Sequence, residues 1–481
     1  MKNSSWLLVL RFTFYEFRIL RLRSTPRCSA QDAYTFTKGS IMSATPMSSE
    51  EMVALSKQYT LFSWSAQDSV SPIPMDRAEG IYFWTPDGKR YIDLNSQLMS
   101  VNIGHGNKKV IRAIQEQAEK LAYAGPGMAS EVRAKIGPLL AKHTPGDLNK
   151  FFFTLGGAEA NENAIKLARQ FTGRQKIIAR YRSYHGATAG AITLTGDYRR
   201  WASEPGMPGV VRVFDPYKYR CVFCKNNPGG CTMDCLNHIE EVIQYEGPHT
   251  IAAMFIETVT GTNGLIVPPD GYLQGLRQLL DKYGILLVCD EVMAGFGRTG
   301  AWFAVDHWNV VPDLLTMAKG LTSSYLPLGC VAVSSKIADH FGKNVYYGGL
   351  TYNAHPMSLA AAIATIEVME EEDIVGNARR MGKVMAALHD DLKAEHPSVG
   401  DARSIGLFGV LELVSNREAK TPLTAADMAK VGAYLKEHGI YTFTPGNLLF
   451  TNPPLIITEP GLREAFEIVN QALAIADQAV K

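Results

Sequence analysis

The sequence predicts an α/β protein with a large, mainly parallel sheet covered on both faces, joined to a smaller α+β domain. Three observations carry this prediction. Between residues 151 and 334, short apolar runs alternate with amphipathic stretches at helical spacing, which is the rhythm of strand–helix–strand units. After Pro356 that rhythm gives way to long helices. Two of the apolar runs also end in charge, at Asp290-Glu291 and at Lys319. Open α/β sheets hold their ligands at the carboxyl ends of strands.

The elements follow in order. Residues 107–121 and 130–143 carry apolar residues at helical spacing and predict two amphipathic helices. Strands are then expected at 151–154, 176–181, 251–257, 285–290, 314–319 and 329–334, with helices at 158–171, 235–245 and 271–283 between them. Beyond Pro356, helices are expected at 357–371, 377–393, 425–437 and 461–480, with one strand at 407–413. The predicted organisation is an N-terminal extension (1–46), an N-terminal segment of the small domain (47–105), a large domain (106–355) and a C-terminal small-domain part (356–481). No internal repeat or long low-complexity segment is present.

Composition excludes several classes. Across 481 residues, 48 basic residues face 47 acidic ones for a formal charge of +1. No basic block recurs in the body, so nothing points to nucleic acid or a membrane surface. Residues 1–30 differ, with Lys2, Arg11, Arg18, Arg21, Arg23 and Arg27 against Glu16 alone. That is the make-up of an organelle transit peptide. The alternative is a start assigned too early, with Met42 or Met47 as the true one. The expected location is cytoplasmic, or mitochondrial if the extension is a transit peptide.

The chemistry centres on Asp290 and Lys319. A lysine can hold an aldehyde as a Schiff base, and a carboxylate can keep a pyridine nitrogen protonated. The stretch from Asp290 through MAGFGRTG to Lys319 resembles the cofactor-attachment signature of the class III, or omega-amino acid, pyridoxal-phosphate aminotransferases. Further matches run from about Tyr82 (IYFWTPDGKRYIDLNS) to the C-terminal end. The resemblance implies the fold of the fold-type I pyridoxal-phosphate enzymes and a homodimer with shared active sites.

It also implies roles. Gly156, Gly157 and Ala158 stand between a strand and a helix, where free N–H groups and the helix dipole attract a phosphate. The family usually has a hydroxyl residue at Ala158, so one phosphate bond is expected to be missing. Thr351 of the partner subunit, in GGLTYNAHP, would add another. Tyr184, beside His185, would stack on one face of the pyridine ring and Val292 would press on the other. Glu257, at the end of IAAMFIE, would support cofactor orientation or gate substrate. Lys319, Asp290 and Tyr184 are the expected catalytic residues.

The family resemblance also bears on substrate. Arg403 matches the mobile arginine that grips an α-carboxylate, a task suited to a guanidinium fork. Enzymes for 4-aminobutyrate and ornithine carry an arginine where Ala187 stands here, and a glutamate able to neutralise the mobile arginine where Thr262 stands. Both differences argue against those donors. The Trp64 region and Tyr198-Arg199-Arg200-Trp201 look most like the taurine group. The expected reaction moves an amino group from taurine, β-alanine or a similar donor to a 2-oxo acid, pyruvate before 2-oxoglutarate. A decarboxylase or aminomutase on the same scaffold, or a non-catalytic metal-loop interaction protein, are the competing readings.

Cys221, Cys224, Cys231 and Cys235 fall in a C-x2-C-x6-C-x3-C pattern. In an intracellular-looking enzyme this spacing suggests a small zinc loop, with four free thiols as the alternative.

Overall fold

A computed structural model describes residues 47–225 and 231–481. The N-terminal extension and residues 226–230 lie outside the described residues. Ser48–Lys481 packs as one compact unit. The first three strands are short: β1 (Arg77–Glu79), β2 (Tyr82–Trp84) and β3 (Arg90–Asp93).

Next come the seven strands of the main sheet: β4 (Lys150–Thr154), β5 (Lys176–Arg180), β6 (Val210–Val213), β7 (Ile251–Glu257), β8 (Leu286–Asp290), β9 (Leu314–Met317) and β10 (Gly329–Val333). Their spatial order is β4-β10-β9-β8-β7-β5-β6. Neighbours from β9 to β6 run parallel. Only β10 runs against its neighbours β4 and β9. Every residue of β7 and β8 is buried, as expected for strands with helices on both faces.

Alternation along β7 divides the core. Ala253 and Phe255 join the layer that takes Ala160, Ala164 and Leu167 of the helix Gly157–Thr172. Met254 and Ile256 face the other layer, with Leu273, Leu276 and Leu280 of the helix Tyr272–Tyr283.

A second sheet holds β11 (Val399–Ile405), β12 (Phe408–Asn416), β13 (Thr421–Pro422) and, after β14 (Ile440–Tyr441), β15 (Leu448–Thr451). The strand β14 itself leaves that sheet and runs parallel to β3, pairing Ile440 with Ile92 and Tyr441 with Asp93. Chain segments almost 350 residues apart in sequence therefore share one small sheet. No helix among the described residues is long and apolar enough to cross a membrane.

Two departures from the sequence reading matter for the site. The strand expected to reach Lys319 stops at Met317. Lys319 instead has φ 41° and opens a tight 3-10 turn, Lys319–Leu321. A non-glycine residue in the left-handed region costs on the order of 1–3 kcal/mol and persists where surrounding structure enforces it. The edge strand β6 was not expected, because four residues between Gly209 and Phe214 offer too short a run to register as a strand.

Candidate active site

The strands β4, β5, β7 and β8 all open toward one cavity of about 860 Å³. In register, Glu257 at the end of β7 lies beside Asp290 at the end of β8, and Asp290 lies beside Thr316 in β9. The sheet alone thus places two carboxylates side by side. The turn after β4 brings Gly156, Gly157 and Ala158 to the same cavity, and the loop after β5 brings Tyr184 and His185.

Asp290 is 4 % exposed and both its oxygens accept hydrogen bonds. Oδ2 accepts from His185 Nδ1 at 2.8 Å and from Asn161 Nδ2 at 2.8 Å, while Oδ1 accepts from the Val292 amide at 3.0 Å. Asn161 is itself fixed, since Thr316 Oγ1 donates to its Oδ1 at 2.8 Å and its Nδ2 also reaches the His185 carbonyl. These contacts fix the direction in which the carboxylate points. Sequence reasoning missed Asn161 and Thr316. The available signals were a polar residue one helical turn after Gly157 and a hydroxyl inside the apolar strand LLTM.

Glu257 acts on its neighbours through backbone. Its Oε1 accepts from the Tyr184 amide at 2.9 Å and its Oε2 from the Gly261 amide at 2.8 Å. Its own carbonyl receives a guanidinium N–H from the buried Arg180. Burial raises the Glu257 carboxyl above its ordinary range, with His185 pulling the other way. Glu257 thereby sets the position of Tyr184 from behind.

Lys319 lines the cavity and makes no ion pair among the described residues. Burial lowers its amine, and the nearby Asp290 and Glu257 charges only partly oppose that. A depressed amine is neutral, and so nucleophilic, over more of the neutral pH range.

The helix Gly157–Thr172 begins without a side-chain cap, so its first N–H groups are free for an anion. A Cβ added at Gly157 would sit 2.8 Å from Val292 Cγ1. The glycine is required by that close approach. Thr351 is exposed, does not line this cavity, and has its carbonyl bonded by Tyr123 Oη at 2.9 Å.

Trp64 is 59 % exposed at the rim and meets Tyr184 edge to face at 6.1 Å. Between them sits Arg199. Its guanidinium lies 4.0 Å from the Tyr184 ring centre and 5.9 Å from Trp64. Its Nε bonds both Asp197 oxygens, and its Nη2 bonds Asp197 and Thr262 Oγ1, the latter at 2.8 Å. Nη1 has no protein partner among the described residues.

Arg403 is placed differently from the expectation. It does not line the cavity. Its Nη1 pairs with Asp401 at 2.7 Å, its Nη2 with Glu412 at 2.9 Å, and it also donates to the Gly264 carbonyl. The expectation that Thr262 leaves this arginine without a neutralising acid is corrected by that geometry. Glu412, invisible from spacing because it lies across the β11–β12 pair, holds Arg403, Arg220 and Tyr217 together.

The zinc expectation finds no support. Among the described residues no group of three or more His, Cys, Asp or Glu side chains is arranged to hold a metal ion. Cys235 is buried, and burial pushes its thiol up to about 12. The Cys224 sulfur instead accepts from the Thr232 amide at 3.4 Å.

Comparison with known proteins identifies the class. Residues 64–473 match the family described as Aminotransferase class-III, and the chain belongs to that family of pyridoxal-phosphate-dependent enzymes. A taurine:2-oxoglutarate aminotransferase from Bifidobacterium kashiwanohense, solved in complex with PLP and glutamate, is similar with a TM-score of 0.86 and 40% identity. That match covers 90% of this chain and 99% of the other. A taurine–pyruvate aminotransferase of Bilophila wadsworthia is 34% identical over 408 residues, 81% of this chain and 88% of the relative. A putrescine–pyruvate aminotransferase of Pseudomonas aeruginosa is 32% identical over 384 residues, 75% and 81% respectively.

The residues present fit the cofactor. A fixed buried carboxylate, an unpaired amine and an uncapped helix start with no room for a larger side chain supply the three contacts it needs.

Proposed function

We propose that this aminotransferase takes its amino group from a short donor carrying a distal anion, taurine or β-alanine first, and passes it to pyruvate. The observation that carries the proposal is Arg199. Its guanidinium is locked by Asp197 and Thr262 with Nη1 left free, above the ring of Tyr184. A charged N–H donor held in this way suits one oxygen of a sulfonate or carboxylate. Among the described residues the acids lining the cavity are the buried Glu257 and Asp290 alone, so no carboxylate at the rim would receive the distal ammonium of a diamine.

When bound, the cofactor supplies the electron sink for the bond that breaks at the amine carbon. Asp290, oriented by His185 and Asn161, keeps a facing ring nitrogen protonated because an opposite charge favours the charged form. Lys319 Nζ, its amine depressed by burial, would take the proton from the amine carbon and return it to the cofactor carbon, serving first as base and then as acid. Tyr184 and Val292, which both line the cavity, would wall the two faces of a bound ring and exclude water. Gly156, Gly157 and Ala158 offer backbone N–H groups to the phosphate. Two half-reactions sharing this site give ping-pong kinetics.

Pyruvate is favoured over 2-oxoglutarate because a diacid needs a second cation. Arg403 is the candidate, and it would first have to leave Asp401 and Glu412. We assign the working assembly as a homodimer in which Thr351 of the partner subunit completes the phosphate site.

A screen of amine donors against pyruvate and 2-oxoglutarate tests this reading. Taurine or β-alanine with pyruvate should lead. Arg199→Gln should raise KM for those donors roughly tenfold or more while sparing an uncharged amine. A lead for 4-aminobutyrate or putrescine, or unchanged donor kinetics in Arg199→Gln, would refute it.

A further inference from the structure

A second cleft, of about 360 Å³, opens beside the active cavity between the loops that follow β5 and β6. Asp197 lines it, and Asp197 holds Arg199 of the active cavity. The two cavities therefore share a wall without sharing a floor.

The charges in the cleft do not cancel. Asp197 is taken by Arg199. Asp215 faces Arg180 at 3.7 Å and accepts the Arg182 amide at 2.9 Å. Arg220 pairs with Glu412 at 2.6 Å. Arg182 remains, exposed, with no ion pair among the described residues and only the ring of Tyr217 at 5.0 Å. One positive charge is left over. Three buried polar atoms lining the cleft lack a hydrogen-bond partner among the described residues: the donors Arg220 Nη2 and Asn263 Nδ2, and Asp215 Oδ1, whose charge Arg180 offsets from 3.7 Å. Such groups are costly when left unpaired.

The rim has the opposite character. Tyr181 and Phe214 are 42% and 43% exposed, with ring centres 5.4 Å apart, and Val222 beside them is 49% exposed. A surplus cation and two orphan donors behind exposed aromatic rings match a ligand that is anionic at one end and flat and apolar at the other.

We propose that this cleft is a binding site for a small aromatic carboxylate, separate from the active cavity. The carboxylate meets Arg182, Arg220 Nη2 and Asn263 Nδ2, and the ring lies on Phe214 and Tyr181.

Calorimetric titration of the cofactor-loaded enzyme with benzoate, and with acetate for comparison, tests it. Benzoate should bind once per chain and more tightly than acetate. Arg182→Gln should weaken benzoate roughly tenfold or more. Phe214→Ala should remove most of the advantage over acetate. Trp64→Ala, which alters only the rim of the active cavity, should leave benzoate binding unchanged. Absence of benzoate binding, acetate binding as tightly as benzoate, or a loss in Trp64→Ala with none in Arg182→Gln would overturn the proposal. None of these readouts depends on which donor the enzyme uses.

Discussion

Lys319 combines a strained backbone, a cavity setting and an amine with no ion partner. Each feature alone is ordinary; together they describe a nucleophile held ready. Lys319→Ala should bind cofactor yet lose turnover by about three decades or more, measured with saturating donor and acceptor. Asp290→Asn should keep the fold, since an amide can preserve part of the bonding to His185 and Val292, but it cannot hold a ring nitrogen as a cation. Its activity should fall by a similar order, and unchanged rates would remove Asp290 from that role.

Residues whose roles follow from motif order were legible in the sequence: Lys319, Asp290, Tyr184 and His185 all line one cavity. Arg403 shows the limit. Its match to a motif fixed its place in the chain but said nothing of Glu412 and Asp401, which reach it only after β11 and β12 pair. Charge neutralisation across a sheet is a tertiary fact, and spacing does not encode it.

At the scale of elements, the strand–helix alternation was readable because buried parallel strands are continuous apolar runs, and β7 spans 251–257 as expected. The strands β11 and β15 were not readable, since VGDARSI carries charge and only its first residue is buried. The most testable element is the helix Gly157–Thr172. Gly157→Ala would force Val292 aside, and cofactor affinity should drop by about tenfold, read by equilibrium dialysis. Ala158→Ser restores a hydroxyl at the first turn and should strengthen retention of the phosphate by roughly two- to tenfold. A weaker-binding Ala158→Ser enzyme would move the phosphate elsewhere.

At the scale of the molecule, stability and assembly each carry a prediction. Glu291, fully buried, accepts the Ala304 and Val305 amides at 2.9 and 3.0 Å. Its carboxyl is raised from 4.5 to about 7, chiefly by burial. Between those values the unfolded chain releases a proton that Glu291 keeps in the folded chain, so the Glu291 contribution to stability falls as pH rises through this window. The Glu291 contribution is about 3 kcal/mol. Urea unfolding across that range should show the stability of the natural protein declining relative to that of Glu291→Gln as pH rises; parallel curves would contradict it. For assembly, Thr351→Ala should weaken cofactor retention. Mixing it with Lys319→Ala should recover activity, because a hybrid pairs an intact Lys319 with an intact Thr351 of the partner subunit. Failure to recover would place Thr351 outside the site.

The rim of the active cavity joins Ser63, Trp64 and Ser65 to Tyr441, Phe443 and Pro445, and β3 waits for β14 to complete its sheet. This imposes an order on biosynthesis. The residues proposed to hold the cofactor on one chain are all made by the time Lys319 leaves the ribosome. The wall that shapes the substrate is finished more than 120 residues later. An emerging chain therefore carries Arg199 and Lys319 well before the segment that closes the opposite wall of the cavity is made.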